Sequence, residues 1–175
     1  LRLQYGFDAI SLMPTNLYGP GDNYHPMNSH VMAALLRKFY EAKQRNMSEV
    51  LCWGNGSPLR EFLHVDDLAQ AAIYALKNWD PDSSKAPKTN EGKPLLHLNV
   101  GTGKDISIKD LAEKIANILD FKGKITWDTS KPNGTPKKLL DISRLTKLGW
   151  NSKISLNDGI KKTLETINKE LVIKK

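Results

Sequence analysis

Met13-Pro14-Thr15-Asn16-Leu17-Tyr18-Gly19-Pro20-Gly21-Asp22-Asn23 is the stretch that decides the fold. Asp8 to Met13 ahead of it reads as a short apolar strand, and the prolines and glycines within it end any regular element. The run therefore reads as the exit of a buried strand into a pocket. Asn28-Ser29-His30 follows at the mouth of an amphipathic segment. Upstream, Leu1 to Tyr5 reads as the last turn of a helix with Gly6 as its stop. A chain that opens in a closing helical turn, without an initiator methionine, reads as a fragment. Nothing that could hold a cofactor precedes the run.

Working outward, the spacing turns helical from Ser29, with Val31, Ala34, Leu35, Phe39 and Ala42 recurring at three- and four-residue intervals. Glu49 to Trp53 reads as a strand, and Gly54-Asn55-Gly56-Ser57-Pro58 is turn chemistry. Arg60 to His64 is extended, with Asp66 expected to cap a helix through Leu68, Ala72 and Leu76. Residues 80–94 form a linker-like loop, and Leu95 to Val100 a strand ending at Gly101-Thr102-Gly103. Ser107 with Asp110 and Ser155 with Asp158 are capping pairs that open two further helices. The last of these carries the apolar line Leu156, Ile160, Leu164, Ile167 and Leu171. Lys124 to Asp128 is a strand, and Asp141 to Leu148 a short helix stopped by Gly149. Strands and helices alternate, as in an α/β protein, and no internal repeat is seen.

The 175 residues, 39% apolar and 26% charged, belong to a folded globular chain with one well-packed core or one domain plus part of another. No apolar stretch reaches membrane-spanning length and Leu1-Arg2-Leu3-Gln4-Tyr5 lacks a signal-peptide layout, so the expectation is a cytoplasmic protein without a membrane partner. The lone Cys52 permits no internal disulfide and, between Leu51 and Trp53, reads as buried filler. A net charge of +7 invites a nucleic-acid reading, yet the lysines alternate with acids, as in Lys109-Asp110 and Glu113-Lys114. Arginine occurs only at positions 2, 37, 45, 60 and 144, and a solvated surface accounts for the excess.

Several residues carry candidate chemistry, each with a plainer explanation. Gly101-Thr102-Gly103 starts like a dinucleotide fingerprint but lacks the third glycine, and a strand-to-helix turn explains it. No phosphate loop, zinc-ligand spacing or nucleophile elbow occurs. His30, expected as the first or second residue of a helix, sits beside unbonded backbone N–H groups that favour a neutral imidazole; spacing alone favours a histidine that caps the helix or packs on Tyr24. Lys38 lies eight residues on, within ~80° around the helix and ~12 Å along it. A ligand along that face could meet both, or Lys38 is simply solvated, with Arg37 beside it. Trp53 either stacks on a planar or sugar ligand or belongs to the core. Arg60 either forks onto a diphosphate or pairs with Glu61 or Asp66. His64 and Asp66-Asp67 read as structural.

Seven strings now stand in order: Met13 to Pro20; Asp22-Asn23-Tyr24-His25-Pro26; Asn28-Ser29-His30-Val31; Trp53-Gly54-Asn55-Gly56; Arg60 to Asp67; Asn99 to Gly103; and Lys131 to Asp141. Together they resemble the GDP-L-fucose synthase family of extended short-chain dehydrogenase/reductases, which belong to the NAD-dependent epimerases and dehydratases. These enzymes epimerise GDP-4-keto-6-deoxy-D-mannose at C3 and C5 and reduce C4 with NADPH. The resemblance runs to Gly149-Trp150 and on toward the end of the chain.

The resemblance implies the C-terminal part of a Rossmann-type α/β reductase with a smaller α/β substrate-binding lobe. Residues 1–20 and 61–100 would belong to the sheet domain, and 21–60 and 101–175 to the GDP-sugar lobe. Pro14, Thr15, Asn16 and Leu17, with His30, would lie against NADP(H). His30 is similar to the family's general acid, opposite a cysteine base. Lys38, Trp53, Arg60 and Asn133 match positions that hold the GDP-sugar, and Asn133 stands where many members have an aspartate. No metal ligand is implied. The Tyr-x-x-x-Lys pair, its serine, the cysteine base and the Gly-rich loop belong to an N-terminal half not contained here, so turnover by this segment alone is not expected. The intact enzyme would be a homodimer. Two other classes fit the residues: another NAD(P)-dependent nucleotide-sugar epimerase or dehydratase, and a non-catalytic basic binding module.

Overall fold

The computed structural model describes residues 2–173. In chain order the elements are α1 (Arg2–Tyr5), β1 (Ser11–Pro14), β2 (Asn16–Tyr18), α2 (Val31–Gln44), β3 (Glu49–Trp53), β4 (Leu59–His64), α3 (Val65–Asn78), β5 (His97–Val100), β6 (Asp105–Ser107), α4 (Ile108–Ile118), β7 (Lys124–Asp128), β8 (Lys137–Lys138), α5 (Ser143–Lys147) and α6 (Leu156–Ile173). The alternation read from the sequence is present, and it is built on parallel pairing.

Four strand pairs are parallel: β1 with β5 (Ser11 opposite His97), β2 with β4 (Asn16 opposite Phe62), β3 with β7 (Glu49 opposite Lys124) and β4 with the two-residue β8 (Leu59 opposite Lys137). Parallel partners need long crossovers, and α2, α3 and α4 lie within them. β4 is the hub. Its first half holds β6 antiparallel on one edge and β8 parallel on the other, while its second half pairs with β2. Among the described residues β1 has no strand partner besides β5.

Two apolar cores result. In the first, Met32, Leu36 and Phe39 of α2 meet Leu111 and Ile115 of α4, Ile160 and Ile167 of α6, and Val50 and Cys52 of β3. In the second, Leu63 of β4, Leu98 and Val100 of β5 and the alanines 71 and 75 of α3 pack with Trp79, Leu145 and Trp150. The period-two alternation of β3 sends Val50 and Cys52 inward and Glu49, Leu51 and Trp53 outward. On α2 the buried line is Met32, Ala33, Leu35, Leu36, Phe39 and Ala42. Val31 and Ala34, expected in that line, are only half-buried and face elsewhere.

The differences from expectation are local. The first strand begins at Ser11 rather than Asp8, because its partner β5 begins at His97, two residues later than Leu95. α2 begins at Val31, which makes His30 the residue before the helix rather than one of its turns. α3 is capped by His64, whose ring accepts from the Asp66 N–H, so Asp66 is a first-turn acid and not the cap. The short helix runs Ser143–Lys147, inside the expected Asp141–Leu148. β6 and β8 were not expected at all. Gly6 does stop α1 at φ 64°, its N–H donating to the Arg2 carbonyl at 2.9 Å, while Leu1 lies outside the described residues. Both capping pairs form, the Ser107 and Ser155 hydroxyls accepting from the N–H groups of Asp110 (3.0 Å) and Asp158 (3.2 Å). Among the described residues no helix is long and apolar enough to cross a membrane.

Candidate functional site

β3 delivers Trp53 to the rim of the first core and then must turn at once. Gly54 and Gly56 both sit at φ 76°, the left-handed region in which a side chain is strained. A Cβ on Gly54 would lie 2.4 Å from the Asn133 side-chain oxygen, and one on Gly56 2.7 Å from the Trp127 ring. The turn is pinned on the far side. The Gly54 N–H donates to the Asp128 carbonyl at 2.9 Å, and the Asn55 N–H to Asn133 Oδ1 at 2.8 Å.

Between this turn, α2 and the segment 131–133 lies a cavity of about 250 Å³. Val31, Ala34, Leu35 and Lys38 line one wall at helical spacing, and Cys52, Trp53, Pro58, Ile108, Pro132 and Asn133 contribute the others, with Met27 and Ser29 at one end. Trp53 is 48% exposed, so its ring is rim and not core. The Lys38 ammonium donates to the Leu51 carbonyl at 2.8 Å and stands 5.4 Å from the Trp53 ring centroid. Lys131 stands 5.6 Å from the same centroid. An apolar slot with an exposed indole and cations at its mouth suits a flat ring carrying negative charge. Cys52 forms part of the floor while only 1% exposed; burial raises its thiol pKa against the opposing pull of Lys38, which keeps it protonated and unreactive.

The other predicted residues stand around this cavity. His30 is the α2 N-cap residue, exposed, with its backbone carbonyl bonded to the Ala34 N–H at 2.9 Å and no capping bond from its ring. Ser29 and Val31 on either side of it line the cavity, and His30 does not. Arg60 is half-buried and pairs with neither Glu61 nor Asp66. Its Nη1 donates to the Leu59 carbonyl at 2.8 Å, and Nη2 lies 3.4 Å from where a Cβ on Gly134 would stand. The structure thus brings Lys38, Trp53 and Asn133 into the lining of one cavity, with His30 and Arg60 outside that lining. Pro14 to Leu17 lie apart, leading from the carboxyl end of β1 into β2. The Thr15 hydroxyl (3.2 Å) and the Asn16 amide (2.8 Å) both donate inward to the Glu61 carbonyl, which leaves the exposed Pro14 on the outer side. The carboxyl end of parallel strands is where such sheets take ligands.

Glu61 is the residue sequence reasoning missed. It is fully buried, and its Oε1 accepts from the N–H groups of Thr102 (2.6 Å) and Gly103 (2.7 Å) while Oε2 accepts from that of Leu140 (2.9 Å). The donors of the Gly-x-Gly turn are therefore filled from within, and a Cβ on Gly101 would meet the carboxylate at 2.2 Å. An acid directly ahead of the apolar pair Phe62-Leu63 in a strand, with a donor-rich turn elsewhere in the chain, was the available signal. His64 is likewise internal: it is 1% exposed, its ring lies edge-on to Tyr18 at 5.4 Å, and burial pushes its pKa below the ordinary value. Among the described residues no cluster of His, Cys, Asp and Glu is placed to hold a metal ion.

Parallel strands with crossover helices, a cavity beside them and a ligand edge at their carboxyl ends define a Rossmann-type α/β protein. The chain belongs to the NAD dependent epimerase/dehydratase family, whose description matches residues 1–100. GDP-L-fucose synthase 1 of Arabidopsis thaliana is 51% identical over 164 residues, which covers 94% of this chain and 47% of that protein. GDP-L-fucose synthase of Escherichia coli K12 is 51% identical over 162 residues, covering 93% and 49%. Among solved structures, a GDP-mannoheptose C4 reductase from Campylobacter jejuni with NADP bound matches at TM-score 0.78 and 35% identity, covering 95% of this chain and 55% of that one. The chain spans about half the length of the curated relatives it matches.

Proposed function

We propose that this chain is the substrate-binding, C-terminal part of a GDP-L-fucose synthase, which converts GDP-4-keto-6-deoxy-D-mannose to GDP-L-fucose by 3,5-epimerisation and NADPH-dependent 4-keto reduction. The observation that carries the reading is the cavity between α2 and β3 with Trp53 and Lys38 at its mouth, three residues of which match the family's GDP-sugar positions. The base enters the cavity, Trp53 covers the ring or sugar, and Lys38 and Arg60 neutralise the diphosphate. Asn133 contacts the nucleotide with its amide NH2, since its oxygen is already held by the Asn55 N–H.

A C4 ketone acidifies the protons at C3 and C5, and each inversion needs one group to remove a proton and another to return it on the opposite face. His30 is the returning acid. Its ring is exposed at the start of α2 and does no capping work, so it is available for transfer. Bound NADPH would supply hydride to C4. Pro14 to Leu17 would carry the backbone along its nicotinamide, held in place by the two bonds to the Glu61 carbonyl. The removing base and the reductive acid would come from an N-terminal half that the chain does not contain.

Residues 1–20 and 61–100 form the remaining sheet domain in this reading, and 21–60 and 101–175 the GDP-sugar lobe. The two cores follow that division in most of their residues, with Leu145 and Trp150 of the lobe reaching across to the sheet core and Tyr18 and Phe62 of the sheet domain buried in the other. The intact enzyme is a cytoplasmic homodimer. Titration of the 175-residue chain with GDP by calorimetry tests the site: binding that Trp53→Ala abolishes is expected, and no binding by the unaltered chain would overturn the reading. NADPH oxidation by this chain alone would overturn the assignment of the missing groups. In the full-length enzyme, His30→Gln is expected to remove epimerisation and leave NADPH affinity unchanged. Equal loss of both would make the histidine structural.

A further inference from the structure

We infer that Lys131 is a third cation of the diphosphate site, beside Lys38 and Arg60, held by the strap 131–136 against Trp53 until a nucleoside diphosphate enters. The inference rests on the cavity taking the base of such a ligand, and it adds a residue to which neither the sequence motifs nor the resemblance gave a role.

Lys131 opens an exposed segment without helix or strand. The segment is nonetheless fixed at three points: the Lys131 N–H donates to the Asp128 carbonyl at 3.2 Å, Asn133 Oδ1 accepts from the Asn55 N–H at 2.8 Å, and the Pro136 carbonyl accepts from the Leu59 N–H at 2.8 Å. Pro132 and Asn133 form part of the cavity wall, so the strap carries Lys131 to the cavity's mouth. There its ammonium lies 5.6 Å from the Trp53 centroid and that of Lys38 5.4 Å from it. The two ammonium groups are therefore at most about 11 Å apart, so an anion held midway between them lies within the ~8 Å Debye length of both at physiological salt. Among the described residues, no carboxylate lies within 4 Å of either. Asp128, whose pKa is depressed by its bonds to Ser130 first and by Lys131 last, spends its carboxylate on the Ser130 hydroxyl at 2.6 Å.

Two like charges gathered on one half-exposed indole gain little from the ring at an exposed position. An anion between them gains attraction to both. Lys38 is tethered to the Leu51 carbonyl and approaches from the helix side; Lys131 approaches from the strap. A diphosphate leaving the cavity over Trp53 passes both. Arg60, half-buried behind Gly134, is reached only farther along the strap.

The test compares GDP with guanosine, which shares the base and lacks the phosphates, by calorimetry on the 175-residue chain. Lys131→Met is expected to weaken GDP about tenfold, as for loss of one charge-assisted contact near a surface, and to leave guanosine within about twofold. Lys131→Arg restores GDP binding to within about threefold, and the GDP loss in Lys131→Met shrinks at 0.5 M NaCl, a salt about threefold above physiological. Unchanged GDP affinity in Lys131→Met, or an equal fall for GDP and guanosine, would overturn the inference while leaving the cavity assignment standing. Failure of the unaltered chain to bind GDP at all would overturn both.

Discussion

Replacing Glu61 by glutamine changes one oxygen for one NH2 without changing shape, and the structure fixes what that does. The amide oxygen can stay with the N–H groups of Thr102 and Gly103, which places the NH2 against the N–H of Leu140. One charge-assisted bond becomes a donor facing a donor, and the two remaining bonds weaken from charged to neutral acceptors. With about 1.5–3 kcal/mol for a hydrogen bond to a charged group, the loss comes to roughly 2–4 kcal/mol. The reverse orientation leaves two donors opposed and costs more. Glu61→Ala strands all three N–H groups, and despite relief of burying a charge it should be the worse of the two. Urea unfolding is the assay. At a slope of about 2 kcal/mol per molar, the glutamine variant's midpoint falls by about 1–2 M with the slope unchanged. Hydrogen exchange locates the damage, since Leu140 should lose protection before Thr102 and Gly103 do. A glutamine variant within about 0.5 kcal/mol of the unaltered chain would refute the assignment of this carboxylate as an internal tie.

Gly101→Ala places a methyl 2.2 Å from the same carboxylate and is expected to destabilise by about 2–4 kcal/mol; combining it with Glu61→Ala should cost less than the sum, which urea unfolding of the double variant checks. Because burial lowers the His64 pKa, the unfolded chain takes up the proton first as the pH falls below about 6.5. The stability present above that pH is therefore lost on acidification through the lowered folded value, and melting temperatures from pH 7.5 to 5 should drop more for the unaltered chain than for His64→Asn. Asn133→Asp keeps the acceptor for the Asn55 N–H and should leave the melting temperature unchanged, whereas Asn133→Ala frees that N–H and should cost about 1 kcal/mol.

The helices were legible because their signals are local. Ser107 with Asp110 and Ser155 with Asp158 cap where the spacing said they would, and α2 buries Leu35, Phe39 and Ala42 of its apolar repeat. β6 and β8 were illegible for the opposite reason. Asp105-Ile106-Ser107 and Lys137-Lys138 have no strand composition of their own and become strands only because β4 offers both edges. His64 as a cap and Glu61 as an anchor share that cause: each depends on a partner distant in sequence or on a ring nitrogen that capping preferences rank low. At the site, spacing put Lys38 on one helix face and Trp53 at a strand end but left each with a plainer reading, and only the family resemblance singled them out. The wall supplied by Pro132 and Asn133 was not legible from spacing, because the bond from Asn55 to Asn133 spans 78 positions.

β1 presents one side of its backbone to β5 and, among the described residues, nothing to the other, with Met13, Leu3, Tyr5 and Phe7 exposed. A bare edge of parallel strand beside oily side chains is a template on which any extended peptide can crystallise its own hydrogen bonds. Handled at high concentration, the 175-residue chain should therefore meet its solubility limit at this corner, and a lysine at Met13 should raise that limit without touching the distant nucleotide cavity.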